Sequence, residues 1–141
     1  MANKLMLTIL SLLMLATGLS AQTAFSVSYR QVTHIPFSFS ADDHTFPAGN
    51  YVLEADRAKR LVLLRGENQE ARFMRANTEE LSEASRRSEL VFQRYGSQFV
   101  LKAVHVQGSS EVQSLLTAKI EREFAKAGQP QQLVIVQAGS R

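Results

Sequence analysis

The three histidines of this chain are its candidates for a metal site, because a catalytic zinc takes three protein ligands and a sheet can bring distant residues together. They are His34, His44 and His105, and no two have the short spacing of ligands on one helix face. His44 falls in a predicted turn, and His105 continues the face of Leu101 and Ala103 on a predicted strand. We therefore expect surface and packed histidines, with no bound metal or other cofactor.

Two groups of carboxylates are candidates for acid and base catalysis. Asp42 and Asp43 are adjacent in a predicted turn, and Glu79, Glu80 and Glu83 lie in a polar segment. Hydrolysis of a glycoside needs two carboxyls about 5–10 Å apart across a cleft, one of them desolvated. Neither group has sequence surroundings that predict desolvation. Turn formation and solubility explain both groups better.

The known motifs of catalysis are missing from the sequence. It has no G-x-S-x-G or S-x-x-K pattern to activate a serine, no glycine-rich phosphate loop and no H-E-x-x-H pair of zinc ligands. It contains no cysteine, which excludes thiol chemistry and disulfides. The formal net charge is +3, with acidic and basic residues interleaved, so nucleic-acid binding is not expected. Weak attraction to anionic lipid or polysaccharide stays open.

The N-terminus predicts export. Lys4 precedes an apolar run over residues 5–15, followed by small and polar residues at 16–22. The run is shorter than the about 20 apolar residues that cross a bilayer, and it is typical of a signal peptide cleaved after Ser20 or Ala21. We expect a signal peptide over 1–21 and a single domain over 22–141 in the periplasm or outside the cell, without a membrane span. A retained N-terminal anchor is the alternative.

Apolar residues alternate with polar ones through the first half of the predicted domain, as in half-buried strands. Ile35, Phe37 and Phe39 mark one strand, which Pro36 places at a sheet edge or a bulge. A polar turn follows at 41–44. The next turn is predicted to be type II, with Gly49 at positive φ.

Two hairpins are predicted further along the chain. Residues 61–64 and 71–74 flank a loop at 66–69, a spacing that pairs Val62 with Phe73, and a polar loop follows at 77–88. The second hairpin turns at Gly96 and Ser97 in a type II′ turn. The predicted pairs are Phe92 with Leu101, Leu90 with Ala103, and Arg94 with Phe99, where the guanidinium covers the ring.

Helical periodicity predicts one amphipathic helix over 111–127. Its apolar residues are Val112, Leu115, Leu116, Ile120 and Phe124, and Gly128 with Pro130 ends it. A start nearer Thr117 would keep the face of Ile120 and Phe124, which we expect to pack on the sheet. Residues 133–136 are apolar on both faces and predict a buried strand.

Four segments, in this order and spacing, resemble a family of small exported bacterial β-rich proteins with no established activity. They are Ile-Pro-Phe-Ser-Phe at 35–39, Phe-Pro-Ala-Gly-Asn-Tyr at 46–51, Leu-Val-Phe-Gln-Arg-Tyr-Gly at 90–96 and Glu-Arg-Glu-Phe-Ala-Lys at 121–126. The resemblance spans most of the predicted domain. It implies export and a mainly β fold, and it carries over no catalytic residue.

The sequence therefore predicts a mainly β domain, an antiparallel sandwich or small open barrel of about seven strands with one C-terminal helix. The function it favours is a non-enzymatic binding or interaction domain, whose partner is a protein, an envelope polymer or a small apolar ligand. One alternative is a carrier that holds a small apolar ligand in a β cavity. The other is a hydrolase with a scattered site. Contact among Phe37, Phe39, Phe92 and Leu101, or a void between them, separates binding domain from carrier.

Overall fold

A computed structural model describes residues 24–128 and 130–139, and within them the chain forms ten strands and one short helix. The predicted signal peptide, 1–21, lies outside these residues. The strands are β1 Tyr29–Ile35, β2 Phe39–Ala41, β3 His44–Phe46, β4 Gly49–Asp56, β5 Leu61–Gly66, β6 Ala71–Glu80, β7 Glu89–Tyr95, β8 Gln98–His105, β9 Glu111–Leu115 and β10 Gln131–Gln137; the helix α1 is Ala118–Lys126. The mainly β domain with one C-terminal helix is confirmed, with ten strands in place of about seven.

The strands form one open sheet, antiparallel except where β2 runs parallel to β8 at Ser40 and Val100. β1, β4, β5 and β6 pair in that order. β6 continues past β5 and pairs with β9 through residues 76–80, after which β8, β7 and β10 follow. Two backbone hydrogen bonds of 3.0 and 3.1 Å between Val32 and Gly139 then bring the end of the chain back to β1.

The interior is filled by aromatic and aliphatic side chains from most of the strands. Phe39 lies 5.3 Å from Phe46 and 5.4 Å from Phe92, measured between ring centroids. Phe37 contacts Phe92 at 5.1 Å, and Leu101 opposite Phe92 is fully buried. Phe37, Phe39, Phe92 and Leu101 therefore belong to one packed cluster and do not line a void.

The strand predicted across Ile35, Phe37 and Phe39 is interrupted at Pro36. β1 ends at Ile35 and β2 begins at Phe39, because proline has no N–H for the ladder. The polar turn that follows is confirmed in a tighter form, with Asp42 and Asp43 both at positive φ between β2 and β3.

Two predictions about turns and register were wrong. Gly49 is not at positive φ; it is the first residue of β4 and pairs with Ile35. In the β5–β6 hairpin Val62 pairs with Met74, one residue from the predicted partner Phe73, because Gly66 still belongs to β5 and shifts the loop.

The hairpin of β7 and β8 has the predicted turn. Gly96 has a φ of 59° and Ser97 a negative one, as a type II′ turn requires, and Phe92 pairs with Leu101. Arg94 lies opposite Phe99, with its guanidinium 5.6 Å from the ring centroid.

A β-bulge makes the predicted pairing of Leu90 with Ala103 wrong. Leu90 pairs with Val104, because the register shifts between Val91 and Phe92. Lys102 is the extra residue of β8.

Two segments predicted as loop and helix are partly strand. Residues 77–80 complete β6, so the polar loop covers only 81–88. Residues 111–115 form β9, and the helix begins at Ala118 after Thr117, the later of the two predicted starts. Residues 111–115 form a strand because each of them pairs with a residue of β6, from Ala76 to Glu80.

The helix packs on the outer face of the sheet, as predicted, but only by half-buried contacts. The ring of Phe124 stacks on Tyr95 at 4.5 Å. The carboxylate of Glu121 accepts a hydrogen bond of 2.9 Å from the Thr117 hydroxyl and forms an ion pair with Lys102 of the bulge. Burial lowers the pKa of Lys102.

Candidate functional site

The structure does not bring the three histidines together. His34 Nδ1 lies 2.8 Å from Asn50 Oδ1, and His44 Nε2 bonds to Glu70. The His105 ring lies 3.4 Å from the Ser85 hydroxyl. Over residues 24–128 and 130–139 no three side chains of histidine, cysteine, aspartate or glutamate converge as metal ligands do.

The carboxylates predicted as alternatives lie on separate elements and are solvent-accessible. Asp42 and Asp43 form the β2–β3 turn, where Asp43 lies 3.6 Å from Lys119. Glu79 and Glu80 close β6. Glu83 is exposed in the loop that follows. The two aspartates form the turn, and the three glutamates face solvent.

A polar cluster at one end of the sheet joins β1, β4 and β9. Arg57 forms a 2.9 Å ion pair with Glu111 and donates a 3.2 Å hydrogen bond to Ser109, and its guanidinium lies 5.8 Å from the Tyr29 ring centroid. The Tyr29 hydroxyl, the Arg57 Nε and the side-chain oxygen of Gln31 are buried without a hydrogen-bond partner within the described part of the chain. Burial raises the pKa of Tyr29, which keeps the phenol neutral. Because Glu111 and Ser109 already engage both terminal nitrogens of Arg57, the cluster acts as a link between strands.

Asp56, at the end of β4, binds the backbone of Ser26, which precedes β1. Its buried carboxylate accepts hydrogen bonds from the backbone N–H of Ser26 at 2.8 Å and of Lys59 at 3.0 Å. The Ser26 bond, aided by those of Lys59, lowers the pKa of Asp56 against the opposing effect of burial. Phe25 continues the attachment through an edge-on contact with Phe73 at 5.4 Å.

We expect Asp56→Asn to lower the melting temperature at neutral pH, and the difference from wild type to shrink in acid. A carboxylate with a lowered pKa contributes stability above its unfolded-state value, 3.8, and loses it as the pH falls through the folded value. Thermal unfolding of both proteins between pH 7 and pH 2 measures this. The matched control is Asp42→Asn, an exposed aspartate in a turn that asparagine also tolerates. A difference that stays constant down to the lowest pH would contradict the assignment.

The outer edge of β10 is the feature that sequence reasoning missed. Residues 133–136 were predicted to be buried on both faces, but Leu133 is 63% exposed and Ile135 57%. Only Val134 and Val136 turn toward the core. The prediction was wrong because only one face of β10, that of Val134 and Val136, packs on the core, and the opposite face is exposed.

The direction of the main-chain groups along β10 follows from the hydrogen bonds at its C-terminal end. Gly139 exchanges both backbone hydrogen bonds with Val32 of β1, whereas Ala138 donates its N–H to Ser88, beside β7. Because these groups alternate along a strand, the odd-numbered residues of β10 point theirs away from β7. Gln137 follows this pattern, since its carbonyl accepts a 3.2 Å hydrogen bond from the Thr33 hydroxyl.

Residues 131, 133 and 135 therefore present N–H and C=O groups for which no strand of the described residues supplies a ladder partner. We call these groups, with the exposed side chains of Leu133 and Ile135, the β10 edge. Residues 131–137 include no charged residue. Proteins usually protect an edge strand with charge, proline or a bulge. The Gln-Gln-Leu-Val-Ile-Val-Gln sequence, which has none of these, was the available signal.

Residues of β7 and of the helix lie next to the β10 edge. Ile135 lies opposite Val91 of β7 and Leu133 opposite Gln93. An open groove of about 410 Å³ begins at Gln131 and reaches Arg122 of the helix. The arrangement offers main-chain hydrogen bonding with apolar contact, and this chemistry suits an extended polypeptide.

Comparison with known proteins gives no match: no family model, no curated protein and no solved structure matches the chain. In the part of the chain that the structure describes, no helix has the length and apolar character needed to cross a membrane.

Proposed function

We propose that this chain is an exported, non-enzymatic interaction domain that binds an extended protein segment at the β10 edge. The observation that carries the proposal is a neutral edge strand with unpaired main-chain groups at residues 131, 133 and 135, beside two exposed aliphatic side chains. An added strand satisfies those groups, and its alternate side chains contact Leu133 and Ile135.

The two alternatives have less support from the described residues. A carrier of apolar ligands needs an interior cavity, whereas Phe37, Phe39 and Phe92 pack against one another. A hydrolase needs acid and base groups around one cleft, whereas His34 and His44 have separate partners.

An array of immobilised seven-residue peptides tests the proposal. The probes alternate apolar and polar residues, include Gln-Gln-Leu-Val-Ile-Val-Gln, and are matched with versions that carry a central proline. We expect the labelled chain to bind the alternating peptides and not the proline versions, which cannot complete a ladder.

Two variants of the chain make the test specific to the β10 edge. Leu133→Pro removes an N–H that points away from β7, so it leaves the β7 ladder intact, and we expect it to abolish peptide binding. The control Phe73→Ser removes an exposed aromatic side chain from β6, a strand that does not pair with β10. Phe73 is 52% exposed, and we expect peptide binding to persist in this variant. Equal binding by Leu133→Pro, or by the proline peptides, would refute strand addition at this edge.

A further inference from the structure

We infer that the partner of the β10 edge is a second copy of this chain, paired antiparallel about a two-fold axis at Leu133. The inference rests on the proposed function and names its partner. It follows from three properties of the edge: which main-chain groups are unpaired, how the side chains lie opposite one another, and the absence of charged side chains along β10.

The unpaired groups define the register. The Gln137 carbonyl is already bonded to Thr33, which leaves residues 131–135 for a partner. Odd-numbered residues must pair with odd-numbered residues, since only these point their N–H and C=O outward. The centre of the segment is Leu133, so each Leu133 exchanges hydrogen bonds with Leu133 of the second copy, and each Gln131 lies opposite Ile135.

This register is self-complementary in its side chains. The exposed aliphatic groups of Leu133 and Ile135 lie on one face of β10. Pairing about the axis places the two leucines side by side, with an isoleucine diagonal to each. Cross-strand apolar pairs of this kind stabilise a sheet, and a two-fold interface closes after two copies.

Charge does not oppose this occupant. Residues 131–137 carry no charged side chain. Two copies of the segment can therefore meet in antiparallel register without placing like charges opposite each other.

The test uses the chain purified after export, with its N-terminus determined by mass spectrometry. Multi-angle light scattering should give twice the chain mass for the wild type and for Phe73→Ser. We expect the single chain mass for Leu133→Pro and for Ile135→Lys, with far-UV circular dichroism unchanged in both. A dimer that persists in Leu133→Pro would overturn the inference, because its interface would lie elsewhere.

Single cysteines report the register, since the chain has no cysteine of its own. Hydrogen-bonded antiparallel partners have Cα atoms about 5.5 Å apart, within the range of a disulfide. Leu133→Cys should therefore form a covalent dimer under mild oxidation. The two Ile135 positions lie about 14 Å apart along the strands, so Ile135→Cys should stay reduced. The reverse pattern would overturn the axis at Leu133.

The same experiments separate this inference from the proposed function. A monomer that still binds the alternating peptides shows that another protein supplies the strand, so the second copy is wrong and the proposed function stands. A monomer that binds none of them refutes both. A monomer that dimerises only when its N-terminal segment is removed identifies that segment as the occupant and also overturns the inference.

Discussion

Phe92→Ala is expected to destabilise the domain by about 3–5 kcal/mol, the cost of replacing a fully buried phenylalanine. The Phe92 ring is 0% exposed and lies within 5.4 Å of both Phe37 and Phe39. Removing it creates a cavity where β2 and β7 meet. Because small domains have about 5–15 kcal/mol of stability in total, urea unfolding should show a large decrease in the midpoint at an unchanged slope.

Phe73→Ala is the matched control for this prediction. The same ring is removed from a side chain that is 52% exposed and contacts only Phe25 among the aromatic residues of the described part. We expect a loss much smaller than that of Phe92→Ala. Similar losses in the two variants, or a Phe92→Ala midpoint equal to wild type, would mean that the interior accommodates a void, as a ligand carrier does.

Gly96→Val is expected to destabilise the domain by about 1–2 kcal/mol, the cost of holding a residue with a side chain in the left-handed region. Gly96 has a φ of 59° at the first central position of the β7–β8 turn, where a β-branched side chain clashes with the backbone. The strain falls on the hairpin that supplies Phe92 and Leu101 to the core. Thermal unfolding of wild type and variant measures the effect.

Ser97→Ala provides the comparison at the neighbouring turn position. Ser97 has a negative φ, so alanine fits there without strain, and we expect its melting temperature to stay near that of wild type. A Gly96→Val protein as stable as Ser97→Ala would show that the turn relaxes into another type and that positive φ at Gly96 is not required.

Local chemistry explains which parts of the fold could be predicted. The Gly96–Ser97 turn sets the register beside it, so the pairing of Phe92 with Leu101 followed from the sequence. Beyond the bulge at Lys102 the same reasoning failed. The bulge inserts Lys102, which forms an ion pair with Glu121 of the helix. The alternation of apolar and polar residues in β8 does not reveal such a tertiary contact.

Tertiary pairing decided the segments that were wrong. Val112 and Leu115 fit helical spacing, but both are also buried, on opposite faces, in the strand β9, which buries Gln113 as well. Pairing with the end of β6 selected the strand. Residues 133–136 predicted a strand buried on both faces because all four are apolar. Whether both faces are covered depends on which elements pack over them, and in the structure only the face of Val134 and Val136 is covered.

The sequence shows that residues 131–137 carry no charge, but it does not show that they form an edge strand. Catalytic and metal sites have characteristic residue types, whereas the β10 edge consists of backbone groups and ordinary aliphatic side chains. Its location depends on the single bridge between Val32 and Gly139, which leaves the odd-numbered groups of residues 131–135 unpaired.

β10 follows both β7 and β1, the strands that it joins or contacts, in the sequence. A polypeptide that emerges from its N-terminus can complete the β7–β8 hairpin while β10 is still absent, since that pairing is local in sequence. Until residues 131–139 arrive, β7 lacks its outer neighbour and β1 lacks its contact with Gly139. Without residues 131–139, the outer side of β7 and the backbone of Val32 would both be left without these partners. Adding β10 therefore replaces the open side of β7 by the β10 edge, so the site that the sheet presents moves outward by one strand.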